Sequence, residues 1–217
     1  MAFDEAAHRV HMTGSDSTGL GRWSWILFQG KHNHFTRVIS AYVLCKSLDD
    51  HRRTVYNQHR RFFHKQGITE CPGKLMHSQL IQQICEWQRK GERIVLLIDT
   101  NEDLSKMGAL QMKLRFECQL VDPIKKMYSK KNQIHPPTSL TGIIPIDSIF
   151  VSSNMKNVVH GGWRIQVEKS LGDRSLYIDI QIKSLLGKNK FSIYRHSARR
   201  LICDHLKVVE KYNVLLN

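Results

Sequence analysis

Trp23–Phe28 and Val38–Val43 are short runs rich in aromatic and β-branched residues, which predicts two β-strands. Gln29–Asn33 between them is polar and contains Gly30, so the pair reads as a hairpin. Leu75–Lys90 places Leu75, Gln79, Ile81, Ile84, Cys85 and Trp87 at spacings that suit one face of a helix. Ile94–Ile98 is apolar throughout, the signature of a strand buried on both faces. Leu104–Glu117 reads as a helix, and Leu120–Tyr128 as a short element opened by Asp122-Pro123, a helix-start signal. Pro136-Pro137 marks a break; Pro145–Val151 and Arg174–Gln181 then predict strands, and 189–217 two helical pieces divided near Cys203-Asp204. Residues 1–18 are small and polar, with Gly14, Ser15, Asp16 and Ser17, and read as a flexible lead-in. Arg52–Gly73 reads as a long polar connection. Strands alternate with helices in the middle of the chain, which predicts an α/β protein with a mixed sheet, a domain over 19–187 and a basic helical tail over 188–217.

Length supports this picture. The chain has 217 residues, 41% hydrophobic and 24% charged, enough for one domain with its own core. Apolar runs such as Ile94–Ile98 stop at five residues, far short of the ~20 that a membrane-spanning helix needs. The first thirty residues hold no apolar signal segment, and five scattered cysteines form no Cys-x-x-Cys, so free thiols inside the cell, in nucleus or cytoplasm, are expected.

Charge adds a partner. Lys and Arg number 33 against 19 for Asp and Glu, a net charge of +14. Such an excess favours a polyanion, because phosphate contacts release condensed counterions. The charge is clustered: Arg52, Arg53, Arg60 and Arg61 lie in a stretch that also holds Tyr56, Phe62 and Phe63, and Lys125 and Lys126 open a second cluster. A third lies in the tail, from Lys188 to Arg200. Basic residues interleaved with aromatics suit backbone neutralisation and base stacking in DNA or RNA. Solvated loops anchored by an aromatic or two account for the same letters.

Candidate chemistry gathers at strand ends. Asp99-Thr100-Asn101-Glu102 follows the buried strand directly, and ligand sites in α/β sheets collect at carboxyl ends of strands. An aspartate there can orient a water and an asparagine can donate to a phosphate oxygen. An ordinary Asp/Asn turn is the plain alternative. Asp147 lies inside an apolar strand, where a buried carboxylate needs partners, and Gly172-Asp173-Arg174 precedes another strand. Three carboxylates beside strands can converge on a divalent cation. His32-x-His34 and Cys203-x-His205 lack the paired spacing of a zinc site, and no Walker or Gly-x-Ser-x-Gly motif occurs.

Taken in order, Arg37-Val-Ile-Ser-Ala-Tyr42, Ile98-Asp-Thr-Asn101-Glu, Pro137-Thr-Ser, Ile146-Asp-Ser-Ile-Phe-Val151 and Gly172-Asp173 resemble the endonuclease/exonuclease/phosphatase (DNase I-like) superfamily. The resemblance is nearest to the endonuclease domains of non-LTR (LINE-like) retroelements and spans roughly 19–181. It implies a two-sheet α/β sandwich that hydrolyses phosphodiesters with Mg²⁺. In it Tyr42 lies near the scissile phosphate, Asp99 activates water, Asn101 holds a phosphate oxygen, Asp147 supports the site and Asp173 binds metal. Two departures accompany it. The family's Asp-His ending is absent, since Arg174 follows Asp173. The strand and metal-binding Glu that open the family's domain have no counterpart before Gly19, so the chain reads as N-terminally truncated. The expectation is a degenerate phosphodiesterase of retroelement origin with weak or no activity. The alternatives are an active Mg²⁺-dependent endonuclease and a non-catalytic basic α/β module, in which Asp99, Asn101, Asp147 and Asp173 would lie apart.

Overall fold

In a computed structural model of the protein, which describes residues 4–31, 34–46, 54–133, 137–138, 142–155, 166–167, 174–176, 178–181 and 185–186, the first strands form an antiparallel meander. A single helical turn, α1 (Asp4–Ala7), leads into β1 (Val10–Ser15), β2 (Trp23–Gln29) and β3 (Phe35–Tyr42). Two helices, α2 (Val55–His64) and α3 (Pro72–Arg89), then carry the chain to β4 (Arg93–Asp99), which pairs parallel to β3. After α4 (Ala109–Phe116), β5 (Leu120–Val121) and α5 (Pro123–Lys130), the chain enters β6 (Asp147–Ser152), antiparallel to β4. The sheet has six strands in the order β1-β2-β3-β4-β6-β5, so it is mixed, as the alternation of strands and helices predicts. A separate two-stranded sheet joins β7 (Gln166–Val167) to β8 (Arg174–Ser175). No helix among the described residues is long and apolar enough to cross a membrane.

Side chains of a strand alternate between faces, so β4 serves two cores. On one face Leu96 and Ile98 pack with Ile39, Ala41 and Phe150 under α3 and α4, which contribute Leu80, Ile84, Leu110 and Leu114. On the other, Val95 packs with Ile149, Val151, Ile124 and Met155, and partly buried Leu176, Ile178 and Ile180 close over them. Each fully buried aliphatic side chain stabilises the fold by roughly 1.5–3 kcal/mol. Arg22 and Arg37 are buried as well. Arg37 forms an ion pair with Glu92 (2.6 Å) and lies over the Trp25 and Trp87 rings (3.9 and 4.3 Å to the centroids). Arg22 pairs with Asp16 (2.6 Å) and donates to Gln79.

Three sequence expectations need correction. Within the expected lead-in of 1–18, residues 4–18 are structured: they contain α1 and β1, and β1 pairs with β2. The small residue responsible, Gly14, lies beneath the Trp25 indole, where a Cβ would come within 2.4 Å of the ring. The connection Arg52–Gly73 contains the helix α2, capped by the Thr54 hydroxyl. Its buried face includes Asn57 and His59 beside Tyr56 and Phe63, and these polar residues mask the apolar stripe. The helix expected from Leu104 begins only at Ala109; Leu104 is fully buried, and its N–H donates to the Pro145 carbonyl. Of the strand expected over Arg174–Gln181, Arg174–Ser175 is β8. The helices expected over 189–217, and the basic tail with them, lie outside the described residues.

Candidate active site

At the carboxyl ends of β3 and β4 one row of residues crosses three strands. Tyr42 pairs with Asp99, and Asp99 pairs with Asp147. In-register neighbours project to the same face, so a phenol and two carboxylates are presented side by side. The next row on that face is Ser40, Leu97 and Ile149. Ser40, Leu97, Asp99, Asp147 and Ile149, together with Ile146 and Leu176, line a cleft of about 340 Å³. Tyr42, in register beside Asp99, is 47% exposed.

The loops that leave the strands are laced together beneath this row. The Val43 N–H donates to the Asp99 carbonyl (2.8 Å). The Asn101 N–H donates to Asp99 Oδ1 (2.9 Å), closing a tight turn in which Asn101 takes φ +48°. Asparagine tolerates this left-handed conformation better than most residues. The Asn101 amide nitrogen donates to the Val43 carbonyl, and the Cys45 thiol donates to Asn101 Oδ1 (2.8 Å). Thr100, fully buried, donates through both its N–H (2.8 Å) and its hydroxyl (2.7 Å) to the Ile146 carbonyl. Thr138 completes the frame: its buried hydroxyl oxygen accepts from the N–H groups of Ile146 (3.0 Å) and Asp147 (3.2 Å).

The structure therefore brings Tyr42, Asp99, Asn101 and Asp147 together. Asp173 lies outside the described residues. Glu102, next in sequence, turns away and accepts from the Leu110 N–H at the start of α4; burial raises its carboxyl above the usual range. Cys45 and Thr138 are parts of the frame to which residue types and spacing assign no role. Thr138 is legible only as a letter of the Pro137-Thr-Ser segment, and Cys45 carries no local signal, because its partner is 56 residues away.

Two carboxylates opposed across neighbouring strands repel each other, and a divalent cation between them relieves that repulsion. Mg²⁺ is commonly held by one or two carboxylates and completed by water and phosphate oxygens, so Asp99 and Asp147 fit such an ion as a minimal pair. No group of three or more His, Cys, Asp or Glu side chains suited to a metal occurs among the described residues.

The basic residues fare differently from one another. Arg60 and Arg61 are exposed on α2, Lys126 is exposed on α5, and Arg52 and Arg53 lie outside the described residues. Lys125 is half-buried, and its ammonium donates to the Leu104 carbonyl (2.8 Å), so it is tied to the frame of the fold. Tyr56 and Phe63 are buried and anchor α2 rather than offering faces to bases.

No family model and no curated protein matches the sequence. Among solved structures, the chain is similar to the 3′-5′ exonuclease NExo from Neisseria meningitidis, at 15% identity and a TM-score of 0.48 over 74% of this chain. NExo from Neisseria described as a 3′ phosphatase bound to product DNA hairpin gives 14% and 0.47, and the human Nocturnin catalytic domain with bound sulfate anion gives 10% and 0.41. These neighbours are members of the DNase I-like exonuclease, endonuclease and phosphatase fold. The chain spans 65% of the NExo chain and 47% of the Nocturnin domain, less than two thirds of either.

Proposed function

We propose that the protein is a DNase I-like phosphodiesterase domain that takes a nucleic-acid backbone into the Asp99–Asp147 cleft with Mg²⁺, and whose turnover is weak or lost. The observation that carries this reading is the row Tyr42–Asp99–Asp147 with Asn101 folded beneath it. In this reading the two carboxylates hold the ion, which polarises the phosphoryl group when bound. Asp99 orients the attacking water, the Asn101 amide donates to a phosphate oxygen, and the Tyr42 phenol contacts the phosphate from beside Asp99. Asp147, fixed through Thr138, supports Asp99, and Asp173 adds a further metal ligand. Arg60, Arg61 and Lys126, with Arg52 and Arg53, contribute to the basic surface that attracts DNA or RNA.

Weak turnover follows from the missing histidine of the family's Asp-His ending, since Arg174 follows Asp173 directly. A guanidinium neutralises charge but does not exchange a proton at neutral pH. Loss of a general acid or base removes about 10²–10⁴ in rate. Retroelement origin rests on the flavour of the motifs, and an intracellular location on the free thiols. A full-strength endonuclease is the second reading, favoured by how completely the row is assembled.

The test is nicking of supercoiled plasmid with Mg²⁺ or with EDTA, for the wild type and Asp99→Ala, alongside binding of DNA and RNA oligonucleotides at low and high salt. Salt-sensitive binding with slow, Mg²⁺-dependent nicking that Asp99→Ala abolishes is expected. Rapid nicking selects the second reading. Absence of both nucleic-acid binding and nicking from folded protein overturns the proposal.

A further inference from the structure

An asparagine amide can be rotated end for end at small steric cost, and what it donates to then changes. In this site both ends of the Asn101 amide are engaged from one loop. The Val43 carbonyl accepts from Nδ2, and the Cys45 thiol donates to Oδ1 (2.8 Å). In the opposite orientation the amide oxygen would face the Val43 carbonyl and lose that bond, and the NH₂ group would keep only a weak N–H···S contact with the thiol sulfur.

We infer that Cys45 is a positioning residue of the cleft, whose thiol holds the Asn101 amide in the orientation that leaves its second N–H for a phosphate oxygen. This rests on the functional reading above, in which Asn101 is that donor. Asn101 also holds Asp99 through its own N–H (2.9 Å), so one residue carries the thiol's constraint to the carboxylate row. The Cys45 thiol is exposed, and both burial of its sulfur and the Asp99 charge push it above its ordinary acidity range. It is thus kept as S–H, the form that can donate.

Two measurements test this. The first does not depend on function: the pH dependence of Cys45 alkylation by iodoacetamide, read on its peptide by mass spectrometry, in the wild type and in Asn101→Ala. Removing the acceptor weakens the hold on the proton, so the midpoint moves to lower pH and the rate at fixed pH rises about threefold, the effect of losing one weak hydrogen bond. An unmoved midpoint, or one that moves upward, overturns the contact.

The second is a cycle of affinities for a labelled DNA duplex, with Ca²⁺ in place of Mg²⁺ to suppress turnover. Cys45→Ala is expected to weaken binding about three- to tenfold, the effect of a lost orienting hydrogen bond. Cys45→Ser, which keeps a donor, is expected to restore affinity to within about twofold, and Cys45→Ala to add nothing on top of Asn101→Ala. Equal weakening in both backgrounds, or a serine variant as weak as the alanine, overturns the positioning role. If the wild type fails to bind DNA, the functional reading falls and the phosphate role of Asn101 falls with it, while the alkylation midpoint separately decides the Cys45–Asn101 contact.

Discussion

Asp99 and Asp147 are cross-strand partners, the last residue of β4 set against the first of β6, and Tyr42 stands in register on the other side of Asp99. Like charges in directly opposed positions destabilise a sheet by about 0.2–1 kcal/mol. A cation bound between the two carboxylates offsets that repulsion. Mg²⁺ should raise the melting temperature of the wild type and leave that of Asp147→Asn unmoved. Thermal melts with and without Mg²⁺ read the shift, and a variant stabilised by Mg²⁺ as much as the wild type would contradict the account.

The frame beneath this pair has its own weak point. The Thr138 hydroxyl is the acceptor for two N–H groups, those of Ile146 and Asp147. Thr138→Val keeps the shape and strands both donors, at a cost of about 1–3 kcal/mol. Thr138→Ser keeps the acceptor and should fold with near-normal stability. Urea melts of the two variants provide the comparison, and a valine variant as stable as the serine one would remove Thr138 from the frame.

Acid should attack the fold at Asp16. Burial alone would raise its carboxyl, but hydrogen bonds from Arg22 and Thr18 outweigh that and hold it below the ordinary 3.8. A carboxyl lowered by folding stabilises fully above its unfolded value, and the contribution is lost as pH falls through the folded one. Wild-type stability should therefore begin to fall near pH 4 and continue below it, with a shallower slope in Asp16→Asn. At pH 7 the same variant, which leaves Arg22 buried without its charge partner, should lose about 3–5 kcal/mol. Urea melts at pH 7, 4 and 3 test both points.

Two cysteines should react in an order opposite to their exposure. Cys45 is exposed but pushed up by burial of its sulfur and by Asp99. Cys71 is half-buried, which alone would raise it, yet the Tyr56 hydroxyl, the N–H groups of Lys74 and Gly73 and the Lys46 charge bring it down. The thiolate is the reactive form, so iodoacetamide at pH 7 should modify Cys71 before Cys45. Peptide mass spectrometry over time reads the order; Cys45 reacting first would mean that access outweighs acidity here.

The parts of the fold that were legible share one property: their pattern is local. The all-apolar Ile94–Ile98 run and the helical spacing of Leu75–Trp87 need no knowledge of partners, and β4 and α3 stand where those patterns lie. β1 is hidden because Gly14, which looks like a flexible residue, is there to admit the Trp25 ring. Helix α2 is hidden because buried Asn57 and His59 interrupt its apolar face, the latter hydrogen-bonded to the Leu20 backbone. The site divides in the same way. Asp99 and Asn101 are readable from their place after a buried strand. Their alignment with Asp147 depends on the β4–β6 register, and the hold of Cys45 on Asn101 on loops distant in sequence.

The most direct test of the Asp99–Asp147 cleft as a cation site is a titration of the protein with Mn²⁺, followed by electron paramagnetic resonance with Mg²⁺ as competitor. One bound Mn²⁺ per chain, displaced by Mg²⁺ and lost in both Asp99→Ala and Asp147→Ala, is the predicted result. Mn²⁺ binding that survives both substitutions in folded protein, or that is absent from the wild type, would contradict it.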